Sequence, residues 1–182
     1  FFDHYNIQGD ELSDLIDELP VPLVVMNCHL PRHPENCVWF DHSLSARMPV
    51  DYLVAQGHKR IAYIAGPLNQ RTAQLRLQGY RQSLADAGIG LDPLLLAEGD
   101  RMYGGGYSAC NQLLHRKVDF TAICCFNDAT AIGALKALQE QGVAVPAEVS
   151  LFGFDNESML DYLHPSVCSV ALPANSFVSS AF

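Results

Sequence analysis

Apolar runs of four to seven residues recur along the chain, separated by amphipathic stretches of helix length. The runs predict strands over Pro22–Met26, Cys37–Phe40, Arg60–Ala65, Leu94–Ala97, Ala122–Phe126, Val149–Phe154 and Cys168–Leu172. The stretches between them predict helices over Asp10–Leu19, Ser43–Gln56, Thr72–Ala87, Gly106–Leu114 and Ala129–Gln141, with a shorter helical pattern over Glu157–Leu163. Strand and helix alternate almost strictly. The strands are continuously apolar rather than alternating, as expected where both faces of a parallel sheet are covered by helices. Three helices end at Gly57, Gly88 and Gly142, each placed where a left-handed residue after a helix end is wanted. The expected class is therefore α/β, doubly wound, with no internal repeat and no Ser/Gly linker.

Composition adjusts this picture in two ways. The 182 residues suffice for one ordinary domain or two small ones, and 49% hydrophobic with 17% charged residues is a globular balance. The formal net charge of −9, from 20 acidic residues against 11 Lys plus Arg, argues against direct grip on nucleic acid, which needs clustered positive charge. The six cysteines at 28, 37, 110, 124, 125 and 168 form no C-x-x-C and no metal-ligand spacing with histidine, so reduced thiols in a cytoplasmic protein are expected. No window of 18 uninterrupted apolar residues exists, and no membrane contact is expected. The chain opens on FFDHYN without a Met or a signal peptide, which reads as a fragment.

Doubly wound sheets bind ligands outside the carboxyl ends of their strands, so the polar residues that follow each strand are the candidates. Those exits carry Asn27, Asp41, Gly66-Pro67 followed by Arg71, Thr72 and Arg76, then Glu98-Gly99-Asp100-Arg101, Asn127-Asp128 and Asp155-Asn156. This set of carboxylates, carboxamides and arginines suits a small molecule rich in hydroxyls, on which a charged side chain can fork. Asn127-Asp128 precedes a helix, and N-capping accounts for one Asx residue but not two. Asn127 is assigned to the ligand and Asp128 to the helix start. Asp155 precedes only a weak helical pattern, so a ligand role fits it better than a cap. Arg76 lies near the packed side of its helix, where a partly buried arginine must find a partner in Asp155 or a ligand.

No catalytic constellation emerges. GPLNQRT is not a P-loop, GGGY at 104–107 lacks dinucleotide spacing, and no G-x-S-x-G elbow is present. The seven histidines fall largely in loops and helix ends, and no nucleophile is arranged with a base. No cofactor, no metal site and no enzymatic activity are expected.

Two long motifs carry a family resemblance. YLVAQGHKRIAYIAGPLNQRTAQLRLQGYRQSLADAGI and TAICCFNDATAIGALKALQEQGVAVPAEVSLFGFDN resemble the LacI/GalR family of bacterial transcriptional regulators, with a galactose-repressor-like flavour. The match runs from about Val21 to Pro173. It implies a periplasmic-binding-protein-like fold of two doubly wound parallel-sheet subdomains with a cleft between them, taken here as residues 1–57 with 172–182, and residues 58–171. It also implies a small-molecule effector, a sugar above all, a homodimer, and operator DNA read by a helix-turn-helix headpiece absent from this chain. By position, the family's effector contacts fall on Asn27, Thr72, Arg76, Asn127 and Asp155. Cys28, Ser45 and the pair Cys168-Ser169 depart from the family pattern. Arg101 stands where relatives place an aromatic against the effector, and Tyr103 and Phe126 are the candidates to replace it. The resulting expectation is an effector-sensing domain that controls operator binding allosterically. A periplasmic sugar-binding protein of a transport system is the alternative on the same fold.

Overall fold

The computed structural model describes residues 9–26 and 29–172. Two compact units divide the chain, one formed by Phe1–Asp41 with Pro173–Phe182 and the other by His42–Leu172.

In the first unit, α1 (Gly9–Glu18) precedes two short parallel strands, β1 (Val25–Met26) and β2 (Cys37–Val38). Leu12, Val25 and Leu30 form its small core. Arg32 reaches back to α1 through Asp14 at 2.6 Å and Asp17 at 2.5 Å. Asn27 and Cys28 lie outside the described residues, so the expectation placed on Asn27 has no structural counterpart here.

The second unit is a five-stranded, wholly parallel sheet in the order β4-β3-β5-β6-β7. Its strands are β3 (Ile61–Ala65), β4 (Leu96–Glu98), β5 (Ala122–Cys125), β6 (Ser150–Phe154) and β7 (Cys168–Val170). The helices are α2 (His42–Ala55), α3 (Arg71–Asp86), α4 (Tyr103–His115) and α5 (Asp128–Glu140). Because side chains alternate across a strand, β3 sends Ile61, Tyr63 and Ala65 to one face and Ala62 and Ile64 to the other. The first face packs with Val50 and Leu53 of α2 and Leu77, Tyr80 and Leu84 of α3. The second packs with Ala109, Cys110 and Leu113 of α4 and Ala131, Ala134, Leu135 and Leu138 of α5. Both faces of the central strands are thus dry, which is what their unbroken apolar character anticipates. Tyr80 is fully buried, stacks on Tyr63 at 4.8 Å between ring centres, and donates its hydroxyl to the Ile61 carbonyl at 2.8 Å.

The three expected helix-ending glycines all adopt positive φ, at 91° for Gly57, 68° for Gly88 and 73° for Gly142. Several boundaries moved. α4 begins at Tyr103, a turn earlier than expected, although Gly104 and Gly105 are poor helix formers. The packing overrides propensity: a Cβ on Gly106 would lie 2.2 Å from the Thr130 carbonyl, and one on Gly133 would lie 2.0 Å from the Tyr103 carbonyl. β4 starts two residues late because Asp92 caps a 3-10 turn over Pro93–Leu95, accepting from the Leu94 amide at 3.0 Å. The pattern over 157–163 is a 3-10 segment, Ser158–Tyr162. Finally, the second compact unit begins at His42. α2 packs along α3 and on the same sheet face, and Arg47 bridges the two helices to Asp86 at 2.6 Å, so α2 belongs with the second unit.

Candidate functional site

In a parallel sheet all carboxyl ends open on one edge, and the side chains that collect there belong to the loops after β3, β4, β5 and β6. Arg76 is the centre of this group. It sits on α3 at a position one turn after Thr72, on the face that also carries Ala73, Leu77, Tyr80 and Leu84, so the helix that buries these residues buries Arg76 to 4% exposure. Its guanidinium lies between two aromatic rings, 3.7 Å from the centre of Phe154 and 4.6 Å from that of Phe126. Nη1 donates to the Phe126 carbonyl, and Nη2 faces Asp155 Oδ1 at 3.5 Å. Nε is buried and has no partner among the described residues. Burial lowers the Arg76 pKa, and Asp155 and Tyr63 oppose that shift.

The two aromatics are the terminal residues of neighbouring apolar runs. Phe126 ends the run of β5, its amide bonded to the Ile64 carbonyl at 2.9 Å. Its ring occupies the space over Gly66, where a Cβ would approach to 2.9 Å. The glycine of the Gly66-Pro67 loop is therefore what lets the ring lie under the guanidinium. Phe154 ends β6.

Asp155 follows Phe154 directly, with φ of 104°, and Asn156 follows with φ of 56°. The φ at Asp155 lies beyond the left-handed basin and marks a backbone that its surroundings impose. The Asp155 side chain keeps 37% of its surface open to solvent while Oδ1 turns to Arg76. Its carboxyl is pushed up to about 6, by burial first and by Asp128 in addition, with Arg76 pulling the other way.

Asn127 and Asp128 divide their work in a way that corrects the sequence-based assignment. Asn127, not Asp128, is the N-cap of α5: its Oδ1 accepts from the Thr130 amide at 2.9 Å and the Thr130 hydroxyl at 2.6 Å. Its Nδ2 donates to the Arg101 carbonyl at 3.0 Å, which ties the loop after β4 to the start of α5. Asp128 is the first helical residue and is wholly buried, but its oxygens leave the helix. Oδ2 accepts from the Glu157 amide at 2.7 Å and Oδ1 from the Ser169 hydroxyl at 2.6 Å. The two side chains have the same length and both offer an oxygen acceptor, and Asn127 is the one that takes the cap position. Asn127 stays half-buried, and its Nδ2 carries a second amide proton beyond the one given to the Arg101 carbonyl. Thr72 is half-buried in the first turn of α3, on the side of Arg76.

Of the expected residues, the structure brings Arg76 and Asp155 into direct contact, places Asn127 beside Phe126, and puts Thr72 one turn from Arg76. Sequence reasoning missed the aromatic pair around the guanidinium and the role of Ser169. The aromatic pair had a signal, since Phe126 and Phe154 both close an apolar run immediately before an Asx residue. Ser169 had none. Among the described residues, no group of three or more His, Cys, Asp or Glu side chains is placed to hold a metal ion. No described helix is long and apolar enough to cross a membrane.

Comparison with known proteins adds to this geometry. Residues 50–182 match the family described as periplasmic binding protein-like domain. The HTH-type transcriptional regulator AscG of Escherichia coli K12 is 38% identical over 169 residues, covering 93% of this chain and 50% of AscG. The HTH-type transcriptional regulator GalR of the same strain is 34% identical over 175 residues, covering 96% of this chain and 51% of GalR. The chain thus spans about half the length of these curated relatives. Among solved structures, a sugar-binding LacI-family transcriptional regulator from Escherichia coli, complexed with phosphate, superposes with a TM-score of 0.95 at 35% identity, covering all of this chain and 65% of that one.

Proposed function

We propose, for a chain that belongs to the periplasmic-binding-protein-like domain family and is homologous to the LacI-type regulators within it, that it is the effector-sensing part of a transcriptional regulator. The effector is a small polyhydroxylated molecule, a sugar, bound at the carboxyl edge of the second unit's sheet. Asp155 accepts from neighbouring hydroxyls, Arg76 donates from the buried side, and Asn127 and Thr72 supply further polar contacts, while Asn27 rests on the family resemblance alone. The observation that carries this reading is the guanidinium of Arg76: a charge buried to 4% exposure, within 4.6 Å of the centres of two rings, facing a half-open carboxylate at 3.5 Å and keeping an Nε with no partner among the described residues. A salt bridge kept only for stability has little reason to stay this loose, because burying a charge is costly unless its hydrogen bonds are complete.

The reading involves no catalytic step. Binding acts by differential affinity for two conformations, which biases an equilibrium that the rest of the protein converts into operator affinity. A homodimer, a DNA-reading headpiece outside this chain and a cytoplasmic location belong to the same proposal, supported by relatives that are transcriptional regulators by name.

Calorimetric titration with D-galactose, D-glucose, D-ribose, cellobiose and inorganic phosphate tests it. At least one sugar binds the wild-type chain, and Arg76→Ala weakens that binding by about 1.5–3 kcal/mol, the range for a hydrogen bond to a charged group. Undiminished binding by Arg76→Ala overturns the site assignment, and binding of phosphate alone overturns the sugar.

A further inference from the structure

We infer that Asp128 and Ser169 are positioning residues for Asp155: together they hold the left-handed Asp155–Asn156 turn so that the Asp155 carboxylate faces Arg76, and so fix the spacing of the two charges that a ligand must span. The inference rests on the reading of Asp155 as a ligand contact.

Three successive backbone amides after β6 are each taken by a different group. The Asp155 amide donates to the Val170 carbonyl at 2.9 Å, the Asn156 amide to Ser169 Oγ at 3.0 Å, and the Glu157 amide to Asp128 Oδ2 at 2.7 Å. Ser169 closes the circuit, accepting from Asn156 while its own hydroxyl donates to Asp128 Oδ1 at 2.6 Å. The φ of 56° at Asn156 lies in the left-handed basin that asparagine visits readily, whereas the φ of 104° at Asp155 lies beyond it and persists only when the surroundings over-determine it. Here the over-determination is visible bond by bond.

Two further facts show that Asp128 is placed for this task. Its helix does not use it as a cap, since Asn127 fills that position. And β6 makes room for it at Gly153, where a Cβ would stand 2.1 Å from Asp128 Oδ1. The carboxylate thus passes over a strand position that tolerates no side chain and reaches β7 on the far side, where Gly153 is paired with Ser169. Its position at the first residue of α5 sets its acceptor oxygens beside the helix N-terminus, from where they reach the turn after β6 and the start of β7. Loss of the acceptor at 169 would leave the Asn156 amide unsatisfied, loss of the acceptor at 128 the Glu157 amide, and either would let Asp155 swing toward solvent, away from Arg76.

The test follows the Asp155 carboxyl itself, in the 182-residue chain without ligand. Carbon-13 NMR titration, with Asp155→Asn to identify the signal, compares wild type, Ser169→Ala and Ser169→Thr. Release of the turn exposes the carboxyl, so Ser169→Ala is expected to lower its midpoint by about one pH unit toward the ordinary carboxylate range, and Ser169→Thr to restore it. An unchanged midpoint in a folded Ser169→Ala overturns the inference, whatever the loss of thermal stability. Asp128→Asn supplies the second arm, read by amide hydrogen exchange. The amides of Asn156 and Glu157 are expected to lose protection while the Thr130 amide keeps its own. Loss at Thr130 with none at 156–157 would make Asp128 a helix-start residue only and sink the proposal. Calorimetry of Asp155→Asn with D-galactose and cellobiose stands apart: wild-type binding there removes Asp155 from the ligand site, and leaves the NMR result on the turn untouched.

Discussion

Asp155 is held in a fold that disfavours its charge. The folded carboxyl at about 6 stands above its ordinary 3.8, so between these two values the folded state binds protons more readily than the unfolded chain. The sign follows: this residue's contribution favours folding at the acid end, below about 4, and that advantage is lost as the pH rises through about 6. Asp155→Asn mimics the protonated form. Urea unfolding at pH 7 is expected to find this variant as stable as wild type or more so, with the difference shrinking as the pH is lowered toward 4. A clear destabilisation of Asp155→Asn at pH 7 would contradict this. Neutral or improved stability together with lost sugar binding is the pattern expected of a group kept for function. The same logic applies to Arg76. Replacing both members of a buried ion pair by uncharged residues of similar volume is often neutral, so the double variant Arg76→Met/Asp155→Asn is expected to fold while losing the ligand.

Elements are joined at this edge through their ends. Asn127 caps α5 and holds the loop before α4 through the Arg101 carbonyl, so Asn127→Ala removes a cap and a tether at once. Loss of the cap alone costs about 1 kcal/mol, and chemical denaturation is expected to show at least that much. The helices α4 and α5 meet backbone to backbone where Gly133 faces the Tyr103 carbonyl. Gly133→Ala forces a methyl into a gap that has no space for it, and a loss of about 1–3 kcal/mol is expected from overpacking. If that variant instead gained stability, as alanine does in an open helix, the close approach of the two helices would be disproved. Helix propensity read from sequence pointed the wrong way for Gly105, where a Cβ would stand 1.9 Å from Asp100 Oδ1: a glycine's value there is the distance it permits, which local pattern does not encode.

At the scale of the whole chain, the second unit has the attributes of a cooperative domain, with a dry sheet face on each side. Native-state hydrogen exchange is expected to rank the central strands β3 and β5 as the most protected and the edge strands β4 and β7 as less so. Stronger protection at β7 than at β3 would contradict the strand order. Ligand binding at the site is expected to raise the apparent stability of this unit in proportion to the logarithm of ligand concentration.

Much of this architecture was legible in the pattern of apolar and polar residues. Continuous apolar runs such as Arg60–Ala65 and Ala122–Phe126 can be stable only when covered on both faces, and parallel pairing between helices is the common way to achieve that. Once the strands are parallel, their exits share an edge, so the polar residues at 76, 127 and 155 could be gathered without coordinates. The sequence by itself therefore determined the α/β class, the order of elements, the helix-ending glycines and the need of Arg76 for a partner, in Asp155 or a ligand. Only the tertiary structure decided which of Asn127 and Asp128 caps α5, that α2 belongs with the second unit, that two phenylalanines enclose the guanidinium, and that Ser169 reaches Asp128 from a strand 41 positions later. Periodicity and capping rules act over a few residues and reflect local energetics. The hydrogen bonds of Asp128 join groups that are distant in sequence and adjacent only because β6 and β7 pair, and no local rule contains that pairing.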